Sequence, residues 1–97
     1  MENKFTKTKD GIFALHGDLS FANVAAVARG GYDLINKIPS IKFDFAEVNI
    51  LDNAILALLP ALMRYAKKKR KDIRFVKLSK QALDMARVSD LAALLPR

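Results

Sequence analysis

The segment of the chain that decides its fold is NILDNAILALLPALMRYAKKKR, which runs from Asn49 to Arg70. Polar residues open this segment, apolar residues then recur every three or four positions, and basic residues close it. Such spacing predicts an amphipathic helix, because every third or fourth side chain lies on the same helical face. The face that would pack on a core consists of Ile55, Leu58, Leu59, Leu62, Met63 and Ala66.

The start and the middle of this predicted helix carry residues with special backbone roles. Asp52 and Asn53 precede it, and we expect at least one of them to act as an N-cap, a contact that contributes about 1 kcal/mol. Such a corner is exposed, so it is also suited to docking a partner. Pro60 lacks the amide that would donate to the carbonyl of Leu56, and we therefore expect a bend there.

Strand-like segments lie on both sides of the helix. Residues 41–45 alternate strictly between apolar and polar side chains, and residues 73–78 are predicted to form another strand. Alternation is typical of strands with one buried and one exposed face. Lys42, Asp44 and Arg74 all fall on the polar side, so we expect helices mainly on one face of the sheet.

The N-terminal part adds a hairpin and a further helix. Asp10-Gly11 is a strong signal for a tight turn between strands at residues 4–8 and 12–16, and we expect Gly17 to close the second strand. Ser20 is expected to cap the next helix. Gly30-Gly31 would weaken that helix by about 1 kcal/mol per glycine, and we expect the missing side chains to permit close packing on a strand.

The C-terminal part completes a β-β-α-β-α-β-α order. Ser79 is expected to cap a third helix, and residues 91–95 to form a last turn. Strand–helix–strand units of this length favour parallel pairing with right-handed crossovers. The sequence therefore predicts an α/β fold with about four strands in a mixed sheet, in one domain that spans residues 1–97.

Several classes of protein are disfavoured by the composition. The chain has 97 residues and no cysteine, which excludes disulfides and thiolate metal sites and fits a reducing compartment. The first residues, MENKFTKTKDG, lack the apolar stretch of a signal peptide, and no apolar run approaches the roughly 20 residues of a membrane span. We accordingly expect a cytoplasmic protein.

No pattern in the sequence predicts catalysis. His16 is the only histidine, and without cysteines or clustered carboxylates it makes a poor metal site. The glycines form neither a GxGxxG pattern nor a phosphate-binding loop. We therefore expect a protein that is not an enzyme and that uses no cofactor and no metal.

Positive charge is concentrated in the last third of the chain. Residues 1–63 hold six basic and seven acidic side chains, a net of −1, and residues 64–97 hold eleven and three, a net of +8. Lys67, Lys68, Lys69, Arg70 and Lys71 are its densest part. Three interpretations stay open: a solvated helix end that complements the helix dipole, contact with an anionic membrane surface, and binding of nucleic acid. The third is the weakest, because no aromatic residues interleave the run.

Two stretches of the chain resemble the STAS domain family. Gly17-Asp18-Leu19 follows the hairpin, and the residues from Leu51 to Leu59 span a strand end and the start of the second helix. In that family a short strand ends in a signature close to Asp-Ser-Ser/Ala/Gly-Gly-Leu, and the second helix begins on it. The resemblance covers almost the whole chain and implies a STAS-like fold that acts as a binding module.

The signature departs from the family pattern in ways that bear on regulation. In the family's anti-sigma factor antagonists the second serine is phosphorylated, and the added charge releases the partner. Ala54 occupies that position and Asn53 the one before it, so neither offers a hydroxyl to phosphorylate. Ile55 stands in place of the glycine, and we expect its side chain to make the docking surface more apolar.

The ending Leu94-Leu95-Pro96-Arg97 is similar to that of STAS subunits in Mla-type phospholipid-transport ABC systems. This implies a non-catalytic subunit that binds and supports the cytoplasmic ATPase at the inner membrane and so helps to maintain outer-membrane lipid asymmetry. An anti-sigma factor antagonist or signalling adaptor without the phosphorylatable serine is the alternative. Apolar surface at the docking site would also favour self-association of the isolated domain. The implied partner-binding residues are Asp18, Ser20, Asp52, Asn53, Ala54 and Ile55.

Overall fold

A computed structural model describes residues 4–88, which form one mixed sheet and three helices. In chain order the elements are β1 (Lys4–Lys9), β2 (Ile12–Leu19), α1 (Val24–Lys37), β3 (Ser40–Asp44), β4 (Val48–Ile50), α2 (Ile55–Lys69), β5 (Asp72–Val76) and α3 (Lys80–Val88). The α/β class and the predicted order of elements are confirmed, apart from β4, which was not predicted. The predicted last turn at residues 91–95 lies outside the described residues.

The sheet has five strands within the described part of the chain, instead of about four. β1 pairs antiparallel with β2, and β3 and β5 extend the sheet in parallel, in the order β1-β2-β3-β5. The short β4 pairs with the end of β2, from Gly17 to Leu19. The prediction that Gly17 closes β2 is therefore wrong. Its φ of 96° is one that glycine adopts without strain, so the strand continues through it.

Burial on the sheet follows the predicted alternation. Ile41 and Phe43 are buried under the helices, whereas Lys42 and Arg74 are exposed on the opposite face. Lys42 and Arg74 are also direct neighbours in the register of β3 and β5. The helices therefore cover mainly one face of the sheet, and the other face stays open in the described residues.

Asp44 departs from this alternation. It lies on the open face, as predicted, but only 8% of its surface is exposed. Its carboxylate is 3.6 Å from Nζ of Lys77 and accepts a hydrogen bond of 2.8 Å from the amide of Ala46. These two partners compensate for the loss of water, and a carboxylate is tolerated at a buried position on that basis.

The second helix supplies the centre of the core. The helix runs without interruption through Pro60 to Lys69. Its partner is α1, and the two helices approach closely at Gly31, where an added Cβ would lie 2.5 Å from Cδ2 of Leu62. Gly30 instead faces the ring of Phe5 on β1. Close packing on a strand is thus confirmed for Gly30, while Gly31 packs on a helix. Of the predicted apolar face, Met63 is half-buried, and the buried members are Ile55, Leu58, Leu59, Leu62 and Ala66.

Two serines were expected to cap helices, and one of them does. Oγ of Ser79 accepts a hydrogen bond of 3.1 Å from the amide of Ala82 in the first turn of α3. Oγ of Ser20 accepts one of 3.2 Å from the amide of Ala22, which precedes α1, and the N-cap of α1 is Asn23. The predicted cap at Ser20 is therefore wrong, because three turn residues separate it from the helix. No helix in residues 4–88 combines the length and the apolar content that crossing a bilayer requires.

Candidate functional site

The ends of β2 and β4 and the starts of α1 and α2 meet at one edge of the domain. We call this edge the rim and define it as residues 18–23 and 49–54. The amide of Leu51 donates to the carbonyl of Leu19 at 3.0 Å, which carries the pairing of β2 and β4 into the rim. Parallel strands collect their C-terminal ends at a single edge, and this brings together residues that lie about thirty positions apart.

The carboxylate of Asp52 joins the two halves of the rim. Its Oδ2 accepts a hydrogen bond of 3.0 Å from the amide of Phe21, and its Oδ1 accepts one of 2.8 Å from the amide of Ala54. Ala54 is the N-cap of α2, and no side chain caps that helix directly. The expectation that Asp52 or Asn53 is the N-cap is therefore corrected: Asp52 satisfies an amide beside the helix start, and it also fixes the neighbouring loop.

A second set of hydrogen bonds orders the first half of the rim. Oδ1 of Asp18 accepts a bond of 3.0 Å from the side-chain amide of Asn49, which ties β2 to β4. The side chain of Asn23 accepts from the amide of Ser20 at 3.0 Å and donates to the carbonyl of Asp18 at 2.8 Å. The backbone of the rim is thus held by side chains from both of its segments.

Exposure separates the predicted partner-binding residues into two groups. Asp18 and Asn53 are exposed, and Ser20 and Asp52 are half-buried, so these four can be reached from outside. Ala54 and Ile55 have 0% of their surface exposed. The prediction that these two contact a partner directly, with Ile55 adding apolar docking surface, is therefore wrong. Both side chains belong to the hydrophobic core.

The apolar surface of the rim comes from two residues that were not among the predicted partner-binding residues. Phe21 is 58% exposed and Leu51 is 57% exposed, and both are large hydrophobic side chains. They flank Asp52: Leu51 precedes it in the chain, and the amide of Phe21 is bonded to its carboxylate. One feature of the sequence could have predicted this exposure: each of the two residues lies beside a strand end and outside any helical apolar face.

Carboxylates concentrate at the same end of the sheet. Asp18 and Asp52 belong to the rim, and Asp44 and Glu47 follow from the end of β3. Lys77, at the end of β5, forms the ion pair with Asp44 described above. The remaining negative charge, together with the apolar side chains, favours a partner that presents cations or N–H donors beside an apolar pocket.

The basic run lies at the other end of α2, as predicted for a helix C-terminus. The helix has 15 residues, which places its two ends about 22 Å apart. Arg70 ends it in the left-handed conformation, with φ of 57°. The structure therefore does not bring Lys67–Lys71 together with the rim, and the two surfaces are separate.

Among the residues that the structure describes, no group beside His16 points to a reaction. His16 is half-buried on β2 and pairs in register with Lys4 of β1. In the part of the chain that the structure describes, no group of three or more histidines, cysteines or carboxylates is arranged to hold a metal ion.

Comparison with known proteins identifies relatives by sequence pattern and by fold. The family model described as the MlaB STAS domain matches residues 6–96. A search of curated protein sequences finds no match.

Three solved structures share the fold over nearly the whole chain. The unphosphorylated anti-sigma factor antagonist SpoIIAA matches with a TM-score of 0.72 at 13% identity, over 98% of this chain and 86% of that one. The phosphorylated form of SpoIIAA, a Bacillus cell fate determinant, gives 0.68 at 13%, over 98% and 89%. An anti-sigma factor antagonist from Mycobacterium paratuberculosis gives 0.70 at 14%, over 98% and 82%. The TM-scores show a common fold, and at identities this low they show the fold alone.

Proposed function

The chain belongs to the STAS domain family in its MlaB form, and from that premise we propose that it is the non-catalytic STAS subunit of a phospholipid-transport ABC system. STAS domains are generally interaction domains without catalytic activity, and they bind other proteins. In this proposal the rim binds the transporter's cytoplasmic ATPase and supports its activity. The protein is then cytoplasmic, is held at the inner membrane through the complex, and contributes to outer-membrane lipid asymmetry.

The observation that carries the proposal is the exposed pair Phe21 and Leu51 on a hydrogen-bonded rim. Burying one large apolar side chain contributes about 1.5–3 kcal/mol, so two such residues can anchor a partner. The hydrogen bonds of Asp52 and Asp18 hold the surrounding backbone, and this reduces the entropy that binding would otherwise cost. The partner is expected to offer an apolar pocket with donors at its border.

The residue at the family's phosphorylation position favours a subunit that stays bound to its partner over one that phosphorylation releases. Ala54 has no hydroxyl, and its side chain is buried at the start of α2. A phosphate added there would have to displace the core, and alanine offers no atom to carry it. A subunit that stays in its complex has no need of such a release step.

Copurification tests the proposal. The chain is expressed with the ATPase of an Mla-type transporter, and the amount of ATPase retained is compared between variants. We expect Leu51→Lys and Asn53→Lys to reduce retention at least tenfold, because each places a cation against a partner that is itself expected to present cations or N–H donors. Thr8→Lys, at an exposed position on β1 at the far end of the domain, is the control and should retain wild-type binding. Full retention by both rim variants would show that the rim is not the contact.

An anti-sigma factor antagonist or signalling adaptor is the second candidate. It is favoured by the TM-scores of 0.72 and 0.70 with two antagonist structures, each over 98% of this chain. Affinity capture from a native cell extract separates the two functions. Recovery of a transporter ATPase and permease supports the first, and recovery of a sigma-factor regulator supports the second.

A further inference from the structure

The end of the domain opposite the rim collects positive charge from four elements. The amide of Lys42 donates to the carbonyl of Gly11 at 2.7 Å, and the amide of Asp72 donates to that of Pro39 at 3.2 Å. These bonds place the β1–β2 turn, the starts of β3 and β5 and the end of α1 side by side. The end of α2 leads directly into β5, so it lies there as well.

We call the cationic residues of this end the basic pole, which consists of Lys67–Lys71 with Lys37, Lys42 and Arg74. All of them are exposed except Lys71, which is half-buried. Lys42 and Arg74 continue the charge from the helix end onto the open face of the sheet, where they are paired in register. The pole therefore covers one end of the domain and turns onto one face, with the exposed Asp72 between Lys71 and Arg74 in the chain.

Ion pairs within the described part of the chain do not involve these cations, although the exposed carboxylate of Asp72 lies at the same end. Among residues 4–88, none of the eight cations takes part in an ion pair, and the ion pairs that form use other basic residues. Like charges that face each other across two strands, such as Lys42 and Arg74, destabilise the sheet. The dipole of α2 accounts for cations in its last turn only. Because these cations repel one another and form no ion pairs within the described residues, we expect an anionic ligand outside the chain to bind them.

The side chains around the pole favour a charged surface over a nucleic acid strand. Binding of single strands relies on aromatic rings on which bases stack. One cation of the run lies over an aromatic ring: Nζ of Lys69 is 5.6 Å from the centroid of Tyr65. That ring is already stacked on Tyr32 at 4.2 Å, and its hydroxyl accepts a bond of 2.6 Å from Asn36. Clusters of lysine without free rings suit the diffuse charge of lipid head groups.

We infer that the basic pole binds the anionic head groups of a lipid bilayer, while the rim at the other end of α2 remains free for a protein partner. The contact is peripheral and electrostatic, and each exposed cation strengthens it roughly fivefold. This inference goes beyond the proposed function, because it requires neither the ATPase nor the transporter. The chain is then a two-ended adaptor that lies between a membrane surface and a protein.

Sedimentation with lipid vesicles tests the inference on the purified chain. Vesicles of phosphatidylcholine with about one third phosphatidylglycerol are compared with vesicles of phosphatidylcholine alone. We expect binding to the anionic vesicles only, and we expect it to weaken steeply as salt is added, because salt screens exposed charges. The inference would be overturned if the chain bound neutral vesicles as strongly as anionic ones, or if it did not bind anionic vesicles at low salt.

Two matched variants separate the pole from net charge. The variant K42Q/K67Q/K68Q removes three cations of the pole, and R29Q/K80Q/R87Q removes three exposed cations elsewhere, so both fall from +7 to +4. We expect the pole variant to bind anionic vesicles about a hundredfold more weakly than wild type, and the control to stay within about tenfold. Equal losses would show that net charge alone is responsible.

Two further measurements complete the test. The charge-preserving variant K42R/K67R/K68R should bind as wild type does, and its failure would contradict an electrostatic contact. Single-stranded RNA at an equal phosphate concentration serves as competitor. If RNA displaces the chain from vesicles completely, the pole is a nucleic-acid site and the membrane assignment is wrong.

Discussion

Asp52 and Phe21 are separated by 31 positions in the chain, and they are joined by a hydrogen bond of 3.0 Å from the Phe21 amide to Oδ2 of Asp52. The same carboxylate also accepts from the amide of Ala54. One side chain thus holds together the loop before α1 and the start of α2. It also sets the spacing of the exposed Phe21 and Leu51, so the shape of the proposed contact depends on it.

Removal of this carboxylate should destabilise the fold. Asp52→Ala leaves two amides without acceptors, and at about 1 kcal/mol for each we expect a loss of about 2 kcal/mol in the free energy of unfolding. Asp52→Asn keeps one oxygen and should lose about half as much. Urea unfolding measures both. The exposed neighbour Asn53 provides the control, and Asn53→Ala should stay within about 0.5 kcal/mol of wild type.

The two adjacent glycines of α1 should respond to alanine in opposite directions. A Cβ at Gly31 would lie 2.5 Å from Cδ2 of the fully buried Leu62, and such overpacking costs about 1–3 kcal/mol. A Cβ at Gly30 would lie 3.4 Å from the ring of Phe5, which is nearly ordinary contact. Gly30→Ala should therefore keep most of the helix-propensity gain of about 1 kcal/mol. Thermal unfolding compares them, and stabilisation by Gly31→Ala would refute the close approach of the two helices.

Two basic residues with left-handed backbones should differ in their response to glycine. Arg70 and Lys77 both have φ of 57°, where glycine relieves strain. Arg70→Gly should stabilise the chain by about 0.5–1 kcal/mol, because glycine is the preferred residue after a helix end. Lys77→Gly should gain less or lose stability, since it leaves the buried carboxylate of Asp44 without its cation. Equal gains in denaturant unfolding would show that this ion pair contributes nothing.

The exposed apolar pair of the rim should make the isolated chain self-associate. Uncovered apolar surface is a common cause of association, and Phe21 and Leu51 are the large hydrophobic residues that stay exposed in the described part of the chain. Sedimentation velocity should show a mass that rises with concentration for wild type and not for Phe21→Ser/Leu51→Ser. Ala57→Ser, an exposed change on α2, serves as the control. A double variant that associates as wild type does would place the contact elsewhere.

Local periodicity was sufficient to predict the main elements of the fold. The spacing from Ile55 to Ala66 predicted the buried face of α2, and the alternation in residues 41–45 predicted a strand with one exposed side. Asp10-Gly11 predicted the hairpin turn, where Gly11 has φ of 75°. Each of these signals lies within a short window, and the backbone there needs no distant partner to define it.

Features that depend on distant partners were missed. β4 has three residues, too few to show alternation, and it is a strand because the end of β2 lies beside it. Asp44 alternates as an exposed residue would, and the cation that pairs with its buried carboxylate, Lys77, comes from another strand end. Exposure at the rim was mispredicted for the same reason. The packing of α2 on the core decides whether a residue such as Ile55 or Phe21 is exposed, and this packing cannot be predicted from the spacing of apolar residues.

The separation of Asp18 and Asp52 at the rim from the cations of the basic pole also gives the described part of the chain an electric dipole component along α2. In the field of a charged body such a molecule experiences a torque before any contact forms, and the effect reaches about one Debye length, or about 8 Å at physiological ionic strength. The protein is therefore oriented before contact, and a charged partner meets one end of it more often than it would if the orientation were random.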